Sequence, residues 1–361
     1  MNTRNNLPKA LAAAGKKTCW RQSPDGSRVL LLPYGARILG LFPPNSDDNF
    51  FWVNSALRAT ASARALFAQD GWQNTGGDRT WLSPEIEVFF PDYPQCARHV
   101  EPATLDAAEY AVAPEEDGVA MTRTMTLGFA RAERSVKLRL SKWVGPAANP
   151  LRYERLAAKL LGGIEYAGYT QRTRVKLLGG AARSPLPVGI WNLIQLPHGG
   201  EMIIPTYHPT QPRVLFGEIP PEAVTAEAHC LRFRVNLRGE HKIAVRAAVS
   251  TGRVGYVWQS GRQWSLVVRN FLVNPSGEYV DVPKDEPADC GYAIHAVNVL
   301  SNLGDFCELE YHAPALGCNR QCVESDDVSQ VWAFRGSKAA IGDLTELLLG
   351  AAPSSGGKGA A

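Results

Sequence analysis

The sequence predicts an all-β protein, a large antiparallel β-sandwich closed by a short C-terminal helix. Segments in which apolar and polar side chains alternate recur about every ten to fifteen residues, and Gly, Pro or charged turns separate them. Neither a linker nor a change of composition divides residues 19–350. The period changes at 339–348, where the apolar spacing becomes helical and Gly350 can cap the helix.

The two ends of the chain differ from this central region. Residues 1–18 are polar, small and weakly patterned, so we expect a weakly ordered N-terminal arm. Residues 351–361 are small and glycine-rich, and we expect a disordered tail because they can bury little apolar surface. Between them we expect one sandwich domain over residues 19–350, since all-β folds often exceed about 200 residues without dividing.

The alternating segments give the order of the strands. The pair 253–258 and 263–273 is predicted to form a hairpin, because Gly261 lies in its short connection. Two segments favour other structures: 151–161 has the Leu and Ala spacing of a helix, and 55–68 is alanine-rich, either a short helix or a lid loop. The predicted strands lie at 28–32, 36–42, 85–90, 119–130, 135–144, 165–178, 188–196, 202–204, 214–216, 230–237, 242–249, 253–258, 263–273, 292–299, 306–311 and 328–334.

Composition argues against several classes of function. The net charge of +3 comes from 38 basic and 35 acidic residues without strong blocks, so nucleic acid is not an expected partner. No stretch approaches the roughly eighteen apolar residues of a membrane helix, and the apolar run at 10–14 is too short for a signal peptide. We expect a cytoplasmic protein without a membrane partner, and the oligomeric state stays open.

The cysteines do not form the pattern of a disulfide framework or a metal site. They are odd in number and scattered, so we expect reduced thiols. Cys318 and Cys322 are four positions apart, but no second Cys or His pair stands at zinc spacing. We therefore expect neither a metal nor a cofactor. The seven cysteines are Cys19, Cys96, Cys230, Cys290, Cys307, Cys318 and Cys322.

The stretch 74–90 has the composition of a binding site. Gly76 and Gly77 let backbone amides approach a ligand, because neither carries a Cβ. From Glu85 the sequence alternates like a strand, which would put Glu85 and Glu87 on one face. The alternative interpretation is a loop leading into a half-buried strand. The polar and aromatic candidates for binding are Asp78, Arg79, Trp81 and Glu85.

A second acidic stretch lies at 305–314. As a strand it places Glu308, Glu310 and His312 on one face. Two carboxylates at this spacing raise each other's proton affinity when they share a poorly solvated cleft, so one can hold a proton while the other stays ionised. General acid/base catalysis needs that arrangement. The alternative is a solvated sheet edge on which these side chains face water.

Four blocks resemble the galactose mutarotase-like superfamily, which contains the aldose 1-epimerases and uncharacterised bacterial relatives. Residues 34–41, Y-G-A-R-I-L-G-L, are similar to its opening strands. Residues 74–87 resemble the G-G-D-R-T-W-x-x-P-E block of the uncharacterised relatives, 190–196 resemble their central strand, and 306–314 resemble the late segment with the catalytic glutamate. The resemblance extends over about 28–349 and implies a β supersandwich with a sugar-binding cleft.

The resemblance also implies roles for residues. Glu310 matches the catalytic glutamate, with Glu308 as its competitor, and Arg79 stands where a substrate-binding arginine is expected. Aldose epimerases carry a histidine in the central strand, whereas the sequence here reads Trp191-Asn192-Leu193. The implied function is carbohydrate binding with an aldose 1-epimerase-like activity, an isomerase that needs an acid and a base.

Further candidates complete this hypothesis. His198 is the first candidate for the acid, followed by His208 and His312, because the ordinary pKa of histidine lies near neutrality. Two alternatives stay open: a glycoside hydrolase or lyase that uses paired carboxylates, and a carbohydrate-binding protein without catalysis. The side chains expected to bind the sugar, besides the block around Arg79, are Trp81, Trp191, Gln195, Lys242 and His312.

Overall fold

Two antiparallel β-sheets, of nine and ten strands, pack face to face in the residues that the computed structural model describes, 3–155, 157–318 and 322–354. The strands are β1 Cys19–Gln22, β2 Arg28–Leu32, β3 Arg37–Phe42, β4 Asp78–Ser83, β5 Ala111–Glu115, β6 Gly118–Phe129, β7 Arg134–Pro146, β8 Glu165–Leu177, β9 Gly189–Pro197, β10 Gly200–Pro205, β11 Arg213–Phe216, β12 Val224–Ala226, β13 Cys230–Val235, β14 Gly239–Arg246, β15 Arg253–Ser260, β16 Gln263–Phe271, β17 Tyr292–Ser301, β18 Gly304–His312 and β19 Glu324–Gly336. The fold class that the sequence predicts is thereby confirmed.

The helices are short and lie at the margins of the sandwich. They are α1 Thr3–Ala13, α2 Thr60–Ala68, α3 Glu85–Val88, α4 Ala157–Leu160, α5 Gly180–Arg183 and α6 Lys338–Leu349, with 3-10 turns at Ser55–Arg58, Pro221–Ala223 and Ala247–Val249. The predicted closing helix is α6, and Gly350 ends it in the left-handed conformation at φ 71°. None of the helices in the described parts of the chain has the length and apolarity needed to span a bilayer.

Strands that are far apart in the sequence lie side by side. The nine-stranded sheet has the order β1-β2-β3-β4-β9-β18-β17-β14-β11, and the ten-stranded sheet the order β12-β13-β10-β15-β16-β19-β8-β7-β6-β5. The predicted hairpin is β15 and β16, which pair from Arg253 with Asn270 to Ser260 with Gln263. The central strands β4, β9 and β18 of the nine-stranded sheet thus come from three separate parts of the chain.

The two sheets differ in how their outer faces are covered. In β7 of the ten-stranded sheet, Val136, Leu138 and Leu140 are buried while Lys137 and Arg139 are exposed, so the face away from the core meets solvent. In the nine-stranded sheet, every residue of β4 is buried, and so is nearly every residue of β9. Polar side chains on its outer face are therefore enclosed by protein.

Three predictions of local structure differ from the fold. The predicted strand 85–90 is wrong: β4 ends at Ser83, Pro84 cannot donate to a sheet ladder, and Glu85–Val88 forms helix α3. Glu85 and Glu87 consequently point in different directions. Glu87 lies 3.1 Å from Arg131 Nε, whereas Glu85 faces Lys242, whose Nζ is 3.8 Å away.

The N-terminal arm is more ordered than the sequence predicts. Residues Thr3–Ala13 form α1, because Leu7, Ala10 and Leu11 repeat at helical spacing and bury against β2, β3 and α2. In 55–68 the helix alternative holds, as a 3-10 turn followed by α2. The predicted helix 151–161 is reduced to α4, and residue 156 lies outside the described residues.

The remaining predictions concern the tail and the cysteines. Residues 355–361 lie outside the described residues, and just before them the Ser354 amide donates to Glu201 Oε2 at 3.0 Å. All seven cysteines are free thiols, as the sequence predicts.

Candidate functional site

Adjacent residues of β4 face opposite sides of the nine-stranded sheet. Asp78 points toward the ten-stranded sheet, where its carboxylate lies 3.1 Å from Lys142 Nζ and 3.0 Å from Arg269 Nη1. Because side chains alternate along a strand, Arg79 points to the outer face. Asp78, a predicted ligand of the substrate, is therefore part of the core between the sheets and does not reach Arg79's side of the sheet.

Strand register brings the predicted site residues into neighbouring rows on that outer face. Arg79 pairs with Leu193, Leu193 with Glu310, and Glu310 with His295, across β4, β9, β18 and β17. Neighbouring strands lie about 4.8 Å apart. The row on one side contains Gln195, Glu308, Val297 and Lys242, and the row on the other contains Trp81, Trp191 and His312.

Arg79 and Gln195 hold the first glutamate. Arg79 Nη2 lies 2.6 Å from Glu308 Oε1, and Gln195 Nε2 donates to the same oxygen at 2.8 Å. Burial raises the pKa of Glu308, an effect that Arg79 opposes and that the neighbouring Glu310 charge, with a hydrogen bond between the two carboxyl groups, reinforces. Glu308 therefore holds a proton more readily than an exposed glutamate does.

Three groups hold Glu310 from the opposite side. Its Oε2 accepts from Trp191 Nε1 at 2.9 Å and lies 3.3 Å from Lys242 Nζ and 3.6 Å from His295 Nδ1. Burial lowers the pKa of Lys242, but the charges of Glu310, Glu85 and Asp281 outweigh it and hold that pKa above its ordinary value. Lys242, a predicted sugar-binding residue, is therefore a buried cation held between carboxylates.

Two histidines and an aspartate adjoin Glu310. His295 of β17, His312 of β18 and Asp281 of the connection before β17 are all buried. Burial lowers the pKa of His295 and of His312 well below the ordinary value. The positive charge of Lys242 lowers both further, and His295 also lowers the pKa of His312. Both rings are thus neutral near pH 7. Among the described residues, these three form the group with the geometry to hold a metal ion.

Several buried polar atoms around this site have no hydrogen-bond partner among the described residues. They include one oxygen of Glu310 and one of Gln195, and two nitrogens of Arg79. Buried polar groups are normally paired. Donors and acceptors left free in one place match a ligand that can both donate and accept, as a hydroxyl does. The atoms are Glu310 Oε1, Gln195 Oε1, Arg79 Nε and Arg79 Nη1.

Aromatic side chains cover the site. The Arg79 guanidinium lies 4.1 Å from the centre of the Trp81 ring, and the Trp191 ring stacks on His312 with centroids 5.4 Å apart. Phe89 and His99, from α3's C-terminal flank and the following loop, pack over Trp81. Trp81 and Trp191 are thus engaged by protein in this conformation. The margin of this cover lies at Glu85 and His99, whose side chains are 20% and 33% exposed.

His198 lies away from the two glutamates. Its Nε2 is 3.0 Å from Asn298 Oδ1, and it lines an open cavity of about 880 Å³ with Trp52, Trp258 and Asp305. His208 lies on an exposed loop, where Nδ1 contacts the carbonyl of the next residue. The structure therefore does not bring these two acid candidates to Glu310, and of the predicted histidines His312 is the one near it.

The sequence analysis missed three residues of this cluster: Asp281, His295 and His99. His295 alternates with apolar residues in the predicted strand 292–299, so an ionisable side chain on an otherwise apolar face was a usable signal. Asp281 stands between Val280 and Val282 in a proline-rich connection, where no periodicity marks it. Only the chain's path brings Asp281 to the sheet.

The sequence matches the family described as "Family of unknown function (DUF6786)" over residues 13–354. No curated protein matches it. Solved structures similar in fold include a GalM/aldose epimerase homologue from C. elegans, at 7% identity and TM-score 0.43, covering 89% of this chain and 99% of that one. A galactose 1-epimerase from Lactobacillus acidophilus NCFM has 9% identity and TM-score 0.44, covering 89% and 94%.

A third similar structure is a 4-alpha-glucanotransferase from Thermococcus litoralis, at 12% identity and TM-score 0.38. The match covers 88% of this chain but 37% of that one, so the chain spans little more than a third of its length. The epimerases belong to the superfamily that the sequence blocks resemble. With identities and TM-scores this low, the likenesses carry no argument about substrate or chemistry.

Proposed function

Because the chain belongs to the family of unknown function (DUF6786), its activity has to be inferred from its site, and we propose that it is an aldose 1-epimerase-like enzyme. Its substrate is a sugar, and its chemistry is proton transfer by Glu310 and Glu308. The sugar is suggested by the sequence blocks that resemble aldose epimerases, and the chemistry by the carboxylate pair.

One observation carries the proposal: two ion pairs, Arg79 with Glu308 and Lys242 with Glu310, converge on one sheet face beside unpaired polar atoms. Unpaired guanidinium nitrogens also occur at the Arg37 and Arg269 ion pairs, so the feature that separates this face from those pairs is the free carboxylate oxygen of Glu310. Glu310 Oε1 can accept from a sugar hydroxyl, and the free nitrogens of Arg79 can donate to one. Perturbed, buried titratable groups in such a cluster favour catalysis.

The proposed reaction needs an acid and a base. Glu310 takes the proton of the anomeric hydroxyl while Glu308 donates a proton from its Oε2 to the ring oxygen, with Arg79 and Gln195 still donating to its Oε1. The bond between C1 and the ring oxygen breaks, its electron pair stays on that oxygen, and C1 becomes an aldehyde carbon. Rotation about C1–C2 presents the other face of the carbonyl. Reclosure then reverses both proton transfers and leaves the opposite anomer, with no net oxidation.

The surrounding residues have positioning roles in this proposal. Arg79 and Gln195 fix the Glu308 carboxyl, because both donate to Oε1. Trp191 and Lys242 fix Glu310 through Oε2 and leave Oε1 for the substrate. His312 is not the acid, because burial lowers its pKa well below the ordinary value and the ring carries no extra proton near neutrality.

The hydrolase alternative is less well supported by the geometry. In glycosidases the two carboxyl groups stand about 5 Å or more apart, so that a glycosidic bond or a water fits between them. Here Glu308 and Glu310 lie two residues apart on the same face of β18, so the two carboxyl groups are neighbours on one wall of the site and do not oppose each other. This favours proton exchange between neighbours over cleavage between opposed acids.

A sugar can reach the site only if its cover moves. Phe89 packs on Trp81, 4.6 Å between ring centroids, and on Trp191 at 5.9 Å. The connection that carries Phe89 and His99 forms no strand of either sheet between α3 and β5, so its displacement breaks no sheet ladder. The proposal therefore includes opening of this connection next to Glu85.

Polarimetry and calorimetry on a panel of free aldoses test the proposal. We expect the protein to accelerate mutarotation of at least one freshly dissolved sugar, and Glu310→Gln to lose roughly 10²–10⁴-fold of that rate while the sugar still binds. Glu87→Gln is the matched control, because Glu87 is also a buried glutamate but pairs with Arg131, outside the proposed site. Binding without turnover would make the protein a carbohydrate-binding protein, and an unchanged rate in Glu310→Gln would remove Glu310 as the base.

A further inference from the structure

The ligand-forming atoms of His295, His312 and Asp281 form a compact triangle. His312 Nε2 lies 3.3 Å from His295 Nδ1, and Asp281 Oδ2 lies 3.5 Å from His295 Nδ1 and 3.7 Å from His312 Nε2. A four-coordinate metal ion binds nitrogen and oxygen at about 2.0–2.2 Å, which separates neighbouring ligand atoms by about 3.4 Å. The three atoms need shifts of only a few tenths of an ångström to share an ion.

Second contacts orient the side chains of Asp281 and His312, and the strand register places His295. Asp281 Oδ1 accepts from the Glu85 amide at 2.7 Å, which leaves Oδ2 directed at the two imidazoles. The His312 ring lies nearly parallel to Trp191, with an interplanar angle of 23°. His295 stands on β17 opposite Glu310 on β18. Of the three, Asp281 has the hydrogen-bonded support that metal ligands typically receive from the protein behind them.

The imidazoles offer free electron pairs to this triangle. A neutral imidazole carries its one proton on either ring nitrogen and has a lone pair on the other. The outward nitrogens, His295 Nε2 and His312 Nδ1, have no hydrogen-bond partner among the described residues. When the protons reside there, the inward nitrogens present two lone pairs to each other and to a carboxylate oxygen. A cation between them would remove that repulsion.

The charge of the surroundings also favours a cation. Glu310, Glu85 and Asp281 all act on the buried ammonium of Lys242. Lys242 lies 3.3 Å from Glu310 and 3.8 Å from Glu85, so its charge is shared between carboxylates. Glu310 Oε2 is 3.6 Å from His295 Nδ1, and its other oxygen is unpaired. A cation at the triangle would thus lie next to Glu310.

We propose that His295, His312 and Asp281 bind one divalent first-row transition metal ion, with Zn²⁺ as the best match. Two imidazoles and one carboxylate suit Zn²⁺ and Fe²⁺ far better than Mg²⁺ or Ca²⁺, which prefer oxygen ligands only. This site is distinct from the Cys318 and Cys322 pair, and it replaces the sequence-based expectation of no metal. It does not depend on the proposed sugar chemistry.

Titration of the full-length, chelator-treated protein tests the site. We expect one equivalent of Zn²⁺ to bind per chain with a Kd below about 1 µM, and Co²⁺ to bind with the visible absorption of a four- or five-coordinate ion. His312→Gln should weaken binding at least 100-fold, whereas His198→Gln and the double change Cys318→Ser with Cys322→Ser should not. Absence of binding by the unmodified protein overturns the proposal.

A second measurement avoids variants that fail to fold. X-ray absorption at the zinc edge of the loaded, unmodified protein should show imidazole and oxygen scattering at about 2.0–2.1 Å. Sulfur at about 2.3 Å would place the ion at cysteines and overturn the proposal. Circular dichroism of His312→Gln must match that of the unmodified chain, and full zinc binding by such a folded variant would also overturn it.

Discussion

Asp78 and Arg79 are adjacent in the sequence, yet they belong to two buried clusters of opposite character. Between the sheets, the carboxylate of Asp78 lies against Lys142 and Arg269, and Tyr169 donates to it. On the outer face, the guanidinium of Arg79 binds Glu308, next to the Glu310 and Lys242 pair. One strand thus serves two polar clusters, separated only by the thickness of the sheet.

The two clusters differ in charge and in the pairing of their acceptors. At Asp78 two cations share one carboxylate, and both of its oxygens are engaged. At Glu310, carboxylates crowd around Lys242, and one oxygen of Glu310 lacks a partner. A buried acid whose oxygens are bound supports the fold, whereas crowded acids with free atoms favour ligand binding. This difference is the reason why we propose a function for the outer cluster and a structural role for the inner one.

The largest expected effect is on stability at the cluster between the sheets. Asp78→Asn leaves the buried ammonium of Lys142 beside Arg269 without a counter-charge, and breaking a buried pair in this way costs about 3–5 kcal/mol. Urea denaturation should show that loss in the free energy of unfolding. The control Asp326→Asn, which breaks a half-exposed pair with Arg174, should cost less than about 1 kcal/mol.

Glu310→Gln should have a much smaller effect on stability. Lys242 keeps Glu85 and Asp281 as counter-charges, and removing one carboxylate from the crowded side relieves repulsion. We expect the free energy of unfolding to change by no more than about 1 kcal/mol, in either direction. The same urea titration measures it. A loss as large as that of Asp78→Asn would erase the distinction between the two clusters.

The smallest expected effect depends on pH at the margin of the outer cluster. Burial lowers the pKa of His99, but hydrogen bonds to Glu101 and Glu85 outweigh it and raise the pKa to about 9. Since the folded pKa exceeds the unfolded value of about 6.5, the stabilisation is complete below pH 6.5 and is lost as the pH rises through 9. It is about 1 kcal/mol or less, because the side chain is one-third exposed.

Thermal unfolding at two pH values checks the role of His99. His99→Gln should lower the unfolding midpoint at pH 6 and leave it nearly unchanged at pH 9.5, where the histidine of the unmodified protein is largely neutral. A difference that is the same at both pH values would mean that the ring contributes through its packing on Phe89, at 5.2 Å between ring centroids, and not through its charge.

Much of the fold could be predicted from local patterns. The β15 and β16 hairpin follows from alternation and a short glycine-containing connection, and α6 from a change of period before Gly350. The error at 85–90 came from reading alternation alone, when Pro84 had already ended the strand. The polar composition of residues 1–18 led to the prediction of a weakly ordered arm, although Leu7, Ala10 and Leu11 form a buried apolar stripe on α1.

The candidate site could be predicted only in part. Alternation predicted Glu308, Glu310 and His312 on one face of a strand, and they lie on one face of β18. Nothing local distinguished His198, two positions past the strand's last buried leucine, from a histidine inside the cluster. Asp281 and His295 were not predicted as site residues, because each belongs to the cluster only through its contacts with the other and with His312.

By itself the sequence determined which side chains share a face, because alternation is a property of the extended backbone and acts within a few residues. Tertiary structure decided which faces meet. Arg79 and Glu308 are 229 positions apart in the sequence. They touch because β4 and β18 both pair with β9, which makes them near neighbours in the sheet. That order depends on how all the strands bury their apolar surface together, and no single segment of the sequence records it.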